Sequence, residues 1–231
     1  MPELLDRART SAERVHSELD RAIRTWAIFE ALNGTDEAHR APLRRQISAS
    51  SEFQVFKLIE MSIVNSVILA LSRVVDTAPR GKSDRLTLDV IAFAVRDGLV
   101  LQRCCDDARV WNPGMHLDEH NEALVRRLFR KLERRTADGT SDSRLSLVGV
   151  RKALKPIRDY FLAHSIDLPW NAPQLRVVRR FLLFCSTLSR DANLAICGIE
   201  HDYRNLFEIS LSRANEFWDS KEAGLAILTS R

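Results

Sequence analysis

Between Glu3 and Leu32, apolar side chains recur at Leu4, Leu5, Ala8, Ala12, Val15, Leu19, Ala22, Ile23, Trp26 and Leu32, the spacing of one face of an α-helix. An apolar stripe this long must be covered by other elements, which pulls the rest of the chain toward helix packing on helix. Turn residues are scarce enough to agree. The 231 residues include 8 Gly and 7 Pro, where average usage would give roughly 16 and 12, too few for a many-stranded β architecture. With 45% hydrophobic and 29% charged residues, the composition is that of a chain that folds on its own and buries about 70% of its unfolded surface.

The same periodicity continues along the chain. A second helix is expected from about Leu43 to Val75, and its core IEMSIVNSVILALSRVV is apolar on most sides, as suits the central helix of a bundle. DTAPRGKSD follows as a loop, with Pro79 and Gly81 as breakers. Further helices are expected over Thr87 to Arg109, weakened near Gly98, then Leu117 to Arg135, Leu145 to Ser165, Gln174 to Ile196, and from after Gly198 to about Lys221. The fold class is therefore all-α, an antiparallel bundle of about six to seven helices. No composition shift marks a boundary, so residues 1–231 read as one domain whose first (about 3–32) and last (about 200–221) helices pack on the core bundle.

No uninterrupted apolar run reaches the ~18 residues of a membrane span, and MPELLDRART lacks the apolar core of a signal peptide, so the expected location is cytoplasmic, away from a membrane. Cys104, Cys105, Cys185 and Cys197 show no C-x-x-C spacing, which fits a reduced compartment. The net charge of +4 is compatible with nucleic acid without requiring it. Of the 35 cations, 29 are Arg, the side chain best suited to bidentate phosphate contacts. Their scatter along the chain makes GC-rich codon usage the better explanation.

Three local patterns invite a functional reading. Arg80-Gly81-Lys82-Ser83 ends like a phosphate-binding loop but has Asp76 where that motif needs Gly, and a helix precedes it instead of a strand. His116 and His120, four apart, would share a helix face that can bind zinc, but they lack a third ligand, and two exposed histidines are the simpler account. VRRLFRKLERR, Val125 to Arg135, puts Arg127, Arg130, Lys131 and Arg134 on one face, either a solvated amphipathic stripe or a contact for an RNA backbone.

The most informative segment is RKALKPIRDYFLAHSID, where Leu154, Ile157 and Phe161 point inward while Arg158, Asp159 and His164 interrupt the pattern with groups fit for acid–base and phosphate work. Arg158-Asp159-Tyr160-Phe161-Leu162-Ala163-His164 resembles the signature of the HEPN superfamily: an Arg, a small polar residue, four more residues and a His. A long apolar helix ending Leu71-Ser72-Arg73-Val74-Val75-Asp76 stands upstream, and this layout is similar to the abortive-infection U-type HEPN proteins over roughly residues 20–215. The resemblance implies an all-helical, homodimeric toxin or antiviral effector. It would cut RNA without a cofactor and be restrained by an antitoxin or defence partner. Two subunits would bring Arg158 and His164 together about a two-fold axis, with Asp159 orienting them and Arg73 and Asp76 lining the pocket. HEPN toxins silenced by nucleotidyl transfer carry a Tyr two residues after the His; here that position is Ile166, so such a partner is not expected.

Taken alone, Arg158 and His164 lie about 120° and 9 Å apart on an ideal helix, too far to form a site unless Pro156 or a second subunit reshapes it. Asp159 has an alternative partner in Lys155, and a helix-end ion pair explains Arg73 with Asp76 more cheaply. The competing reading is a non-catalytic helical module for dimerisation or for binding RNA or nucleotides.

Overall fold

The computed structural model describes residues 2–33, 53–77, 86–112, 114–137, 146–163 and 172–229. They form eight helices and, among the described residues, no strand: α1 (Pro2–Asn33), α2 (Phe53–Val75), α3 (Leu88–Ala94), α4 (Gly98–Ala108), α5 (Asp118–Thr136), α6 (Leu147–Ala163), α7 (Ala172–Cys197) and α8 (Tyr203–Thr229). The architecture is the expected helical bundle, with one or two more helices than the sequence suggested.

One extra helix comes from the stretch expected to run unbroken from Thr87 to Arg109. Asp97 leaves helical geometry at φ −90° and ψ 117°, and its carboxylate accepts from the main-chain N–H of Leu99 (2.8 Å) and Val100 (3.2 Å). A short acidic side chain that caps the next turn competes with the ladder of the previous one, so α3 stops and α4 starts. The last helix also departs from expectation, beginning at Tyr203 and running to Thr229.

The centre of the bundle is α1 rather than α2. It packs against α2, α3, α7 and α8, and Ala8, Ser11, Ala12, Ala22, Ala27 and Ala31 are all buried along it. Side chains this small let neighbouring backbones approach closely, and Val15, Leu19, Ile23 and Trp26 fill the space between. Helix directions follow from named contacts. Arg179, early in α7, pairs with Glu30 near the end of α1 (3.0 Å), while Asn193, late in α7, donates to the carbonyl of Ala12 (3.2 Å), so α7 is antiparallel to α1. Gly198, at φ +72°, turns the chain; its N–H reaches the Leu194 carbonyl and that of Ile199 the Asn193 carbonyl, a closure characteristic of a helix end. From there α8 runs back alongside α1.

By length and composition α2 could cross a membrane, although the expectation from uninterrupted apolar runs was otherwise; 44% of its apolar window is buried inside the bundle. Val64, Val67, Ile68, Leu71, Val74 and Val75 face other helices, whereas Val55, Leu58 and Ile59 are exposed.

Candidate functional site

Helix α6 carries the Arg-Asp segment. Ser146 accepts from the N–H of Gly149 at its start (3.0 Å), and the helix continues through Pro156. Arg151 pins it in place: its Nε donates to the Val75 carbonyl at the end of α2 (2.6 Å) and its Nη2 to Asp89 of α3 (2.9 Å). Leu154 is buried and Ile157 packs against the core. Arg158, seven residues after Arg151, lies on the same face about 10 Å further along the axis. It is half-buried, and its Nε and Nη2 both donate to Asp159 Oδ1 (3.0 and 2.7 Å). Between the two pairings open to Asp159, the structure has the one with Arg158. His164 and Ile166, together with Arg80-Gly81-Lys82-Ser83, lie outside the described residues.

Arg73 and Asp76 line a separate cleft of about 510 Å³ between α1, the end of α2 and Thr87 at the start of α3. Arg158 is not among its lining residues; with α6 starting beside the end of α2 and packing along it, the Arg158 end points away. At the base of the cleft Glu18 is buried between two guanidiniums, Arg14 at 3.4 Å and Arg73 at 3.5 Å. Two cations answer one carboxylate there, and both guanidiniums are largely open to solvent, at 63% and 61% exposure. Asp76 accepts from the N–H of Thr77 (2.9 Å). Arg14 and Glu18 were missed in the sequence: their i,i+4 spacing is visible, but their meeting with Arg73 is a tertiary event.

The basic stretch divides. Arg127, Arg130 and Arg134 are exposed on α5, with Arg130 Nε donating to the Arg126 carbonyl (3.3 Å) and Arg134 Nε to that of Arg130 (3.2 Å). Lys131 does not share their free face. Its Nζ lies 2.7 Å from Asp191 Oδ2 on α7, and Arg190 approaches the other oxygen at 3.1 Å. A carboxylate as buried as that of Asp191 needs opposite charge beside it, and Lys131 supplies it.

The histidine pair is exposed, as the simpler account had it, but without a common helix face. α5 begins at Asp118, so His116 sits in the preceding loop at φ 52° and does not share a helix face with His120; both are exposed. Among the described residues, no group of three or more His, Cys, Asp or Glu side chains could hold a metal. All four cysteines are free, and burial pushes the thiols of Cys104 and Cys185 up to about 12 and that of Cys197 to about 11, which disfavours the thiolate form.

A polar network that the sequence did not suggest joins α1 to the start of α8. His16 Nδ1 lies 2.9 Å from Tyr203 Oη, which lies 2.8 Å from Ser189 Oγ, and the His16 and His201 rings stack at 3.5 Å with 8° between their planes. Desolvation lowers the pKa of both imidazoles, with Asp20 acting in the opposite sense and His16 adding to the effect on His201. Burial raises Tyr203 to about 12.

The structure thus joins an all-helical bundle to an Arg-Asp pair on a late helix and an Arg-x-x-Asp run closing an earlier apolar one. The family model of AbiU2 HEPN domains matches residues 7–217, from the first turns of α1 into α8, and the chain belongs to that family. No curated protein and no solved structure matches it.

Proposed function

We propose that this HEPN-type module is an endoribonuclease that cuts RNA through attack by its own 2′-hydroxyl, acting as a toxin or antiviral effector. The observation that supports this most is the guanidinium of Arg158: half-exposed, held at two nitrogens by Asp159, with further N–H donors left for a phosphate. Membership of the AbiU2 family lends the reading its context. In this mechanism His164 takes the 2′-OH proton, as an imidazole is suited to do near neutral pH. The 2′-oxygen bonds to phosphorus, the P–O5′ bond breaks, and an imidazolium returns a proton to the leaving 5′-oxygen. Arg158 stabilises the charge on the phosphorane. The products are a 2′,3′-cyclic phosphate and a 5′-hydroxyl. A homodimer would supply a second Arg158 and His164 across a two-fold axis. The outward arginines of α5 and the cleft beside Arg73 are the surfaces assigned to the rest of the RNA backbone.

The test is incubation of the purified protein with total RNA and EDTA, with cut ends mapped for 2′,3′-cyclic phosphate. Arg158→Ala and His164→Ala, made separately, are expected to lose cleavage while helical content and oligomeric state stay as in the parent protein. Unchanged cleavage in both would overturn the mechanism assigned to Arg158 and His164, and no cleavage by the parent on any RNA would leave the binding-module reading in its place.

A further inference from the structure

Neither the α6 motif nor the cleft beside Glu18 includes the groove between α7 and α8. It holds about 260 Å³ and is floored by Ile23 and Trp26 of α1, with Leu182 and Leu183 of α7 and Phe207 of α8 as walls. Leu183 is 62% exposed there, a large apolar side chain turned toward solvent at the lip of an apolar groove. Ser186 and Thr187 face it as well, but their hydroxyls already donate to the carbonyls of Leu182 (2.7 Å) and Leu183 (2.9 Å), so they demand nothing polar of an occupant.

Two of the three lining arginines gather at one end, the third, Arg179, being paired with Glu30 toward the other. Ser189 and Tyr203 are bonded to each other across the α7–α8 corner, and the residue following each is an arginine that lines the groove, Arg190 and Arg204. Arg190 is held by Asp191 (3.1 Å) and Arg204 by Glu208 (2.9 Å), leaving each guanidinium with N–H donors to spare. Asp202 is the one carboxylate among the lining residues, so at this end two guanidiniums face the groove against one carboxylate. At ~30 Å³ per liquid water, the space equals roughly nine waters, or a ligand of about ten non-hydrogen atoms.

We propose that this groove binds a small organic anion with an unbranched apolar body, a medium-chain carboxylate, its tail along Trp26 and Phe207 and its head between Arg190 and Arg204. The residues are independent of those assigned to RNA cleavage, so either reading can fail without the other.

Octanoate, titrated into the full-length protein by calorimetry and by methyl chemical shifts, tests this, with octanol as the neutral comparator. One octanoate per chain is expected. Octanol should bind about tenfold more weakly because it lacks the charge-assisted contacts. Arg190→Gln combined with Arg204→Gln should weaken octanoate to the level of octanol, and Leu183→Glu should abolish both. Thr187→Trp, which fills the groove from its open side, provides a second blocking variant should Leu183→Glu not fold. Equal affinity for octanoate and octanol, or binding that survives the blocking variants, would overturn the proposal. Conversion of a dimer to a monomer by Leu183→Glu would overturn it too, by making the groove an interface between two copies.

Discussion

Arg151 on α6 caps the carbonyl of Val75 at the end of α2, at 2.6 Å, and with the same guanidinium reaches Asp89 on α3. The ends of two successive helices are thus tied to a third far along the chain at one point, between a strong donor and a main-chain acceptor that α2 itself leaves unused. Arg151→Met keeps much of the apolar stem and removes the donors. It is expected to cost about 2 kcal/mol, the scale of leaving such partners without their hydrogen bonds. Urea denaturation of the variant against the parent checks this, and an unchanged midpoint would show the clamp to be incidental.

The His16 and His201 stack predicts a particular response to acid. Both imidazoles have folded pKa values below the ordinary 6.5 because burial disfavours the charged ring. The unfolded chain therefore binds protons more readily, so stability is fully present above about pH 6.5 and declines as pH falls through that value toward the lowered folded pKa values. Thermal midpoints measured from pH 8 to 5 should fall on the acid side. His201→Gln should flatten that fall by removing one titrating ring and its repulsion of the other. An identical acid-side fall in the variant would place the sensitivity elsewhere.

Gly198 and Gly114 separate two costs that a glycine can conceal. Both have positive φ, +72° and +85°. A Cβ on Gly114 meets nothing within 4 Å, whereas on Gly198 it would stand 2.7 Å from Nε1 of Trp111. Gly114→Ala is expected to cost about 1 kcal/mol from the backbone alone. Gly198→Ala should cost more than twice that, because the indole ring must also move. Differential scanning calorimetry of the two variants reads the difference directly, and equal losses would mean that Trp111 gives way freely.

How far the chain could be read in advance depended on the range of the interaction concerned. The stripe of α1 is a local pattern, and Ala8, Ala12, Val15, Leu19, Ala22, Ile23 and Trp26 are buried as their spacing implied. The rank of α1 was not legible. Hydropathy favours α2, but small side chains that admit close neighbours decide which helix sits in the middle. The break at Asp97 was only half visible: Gly98 signals weakness, but the two hydrogen bonds of the cap exist only once the chain turns there. At the candidate site, Arg158 with Asp159 was recognisable from neighbours in sequence. The meeting of Arg14, Glu18 and Arg73 and the removal of Lys131 to Asp191 were not, since each joins residues from helices distant in the chain.

The central place of α1 carries a kinetic corollary. Two of its four companions, α7 and α8, come last among the described helices, so during synthesis the part of the stripe from Ala8 to Trp26 that they cover emerges long before they do. Distant pairings of this kind are slow to form and leave sticky surface on view meanwhile. A nascent copy that has not yet made α7 lacks part of the cover that α1 needs, so closing the middle of the bundle waits on segments remote in the chain.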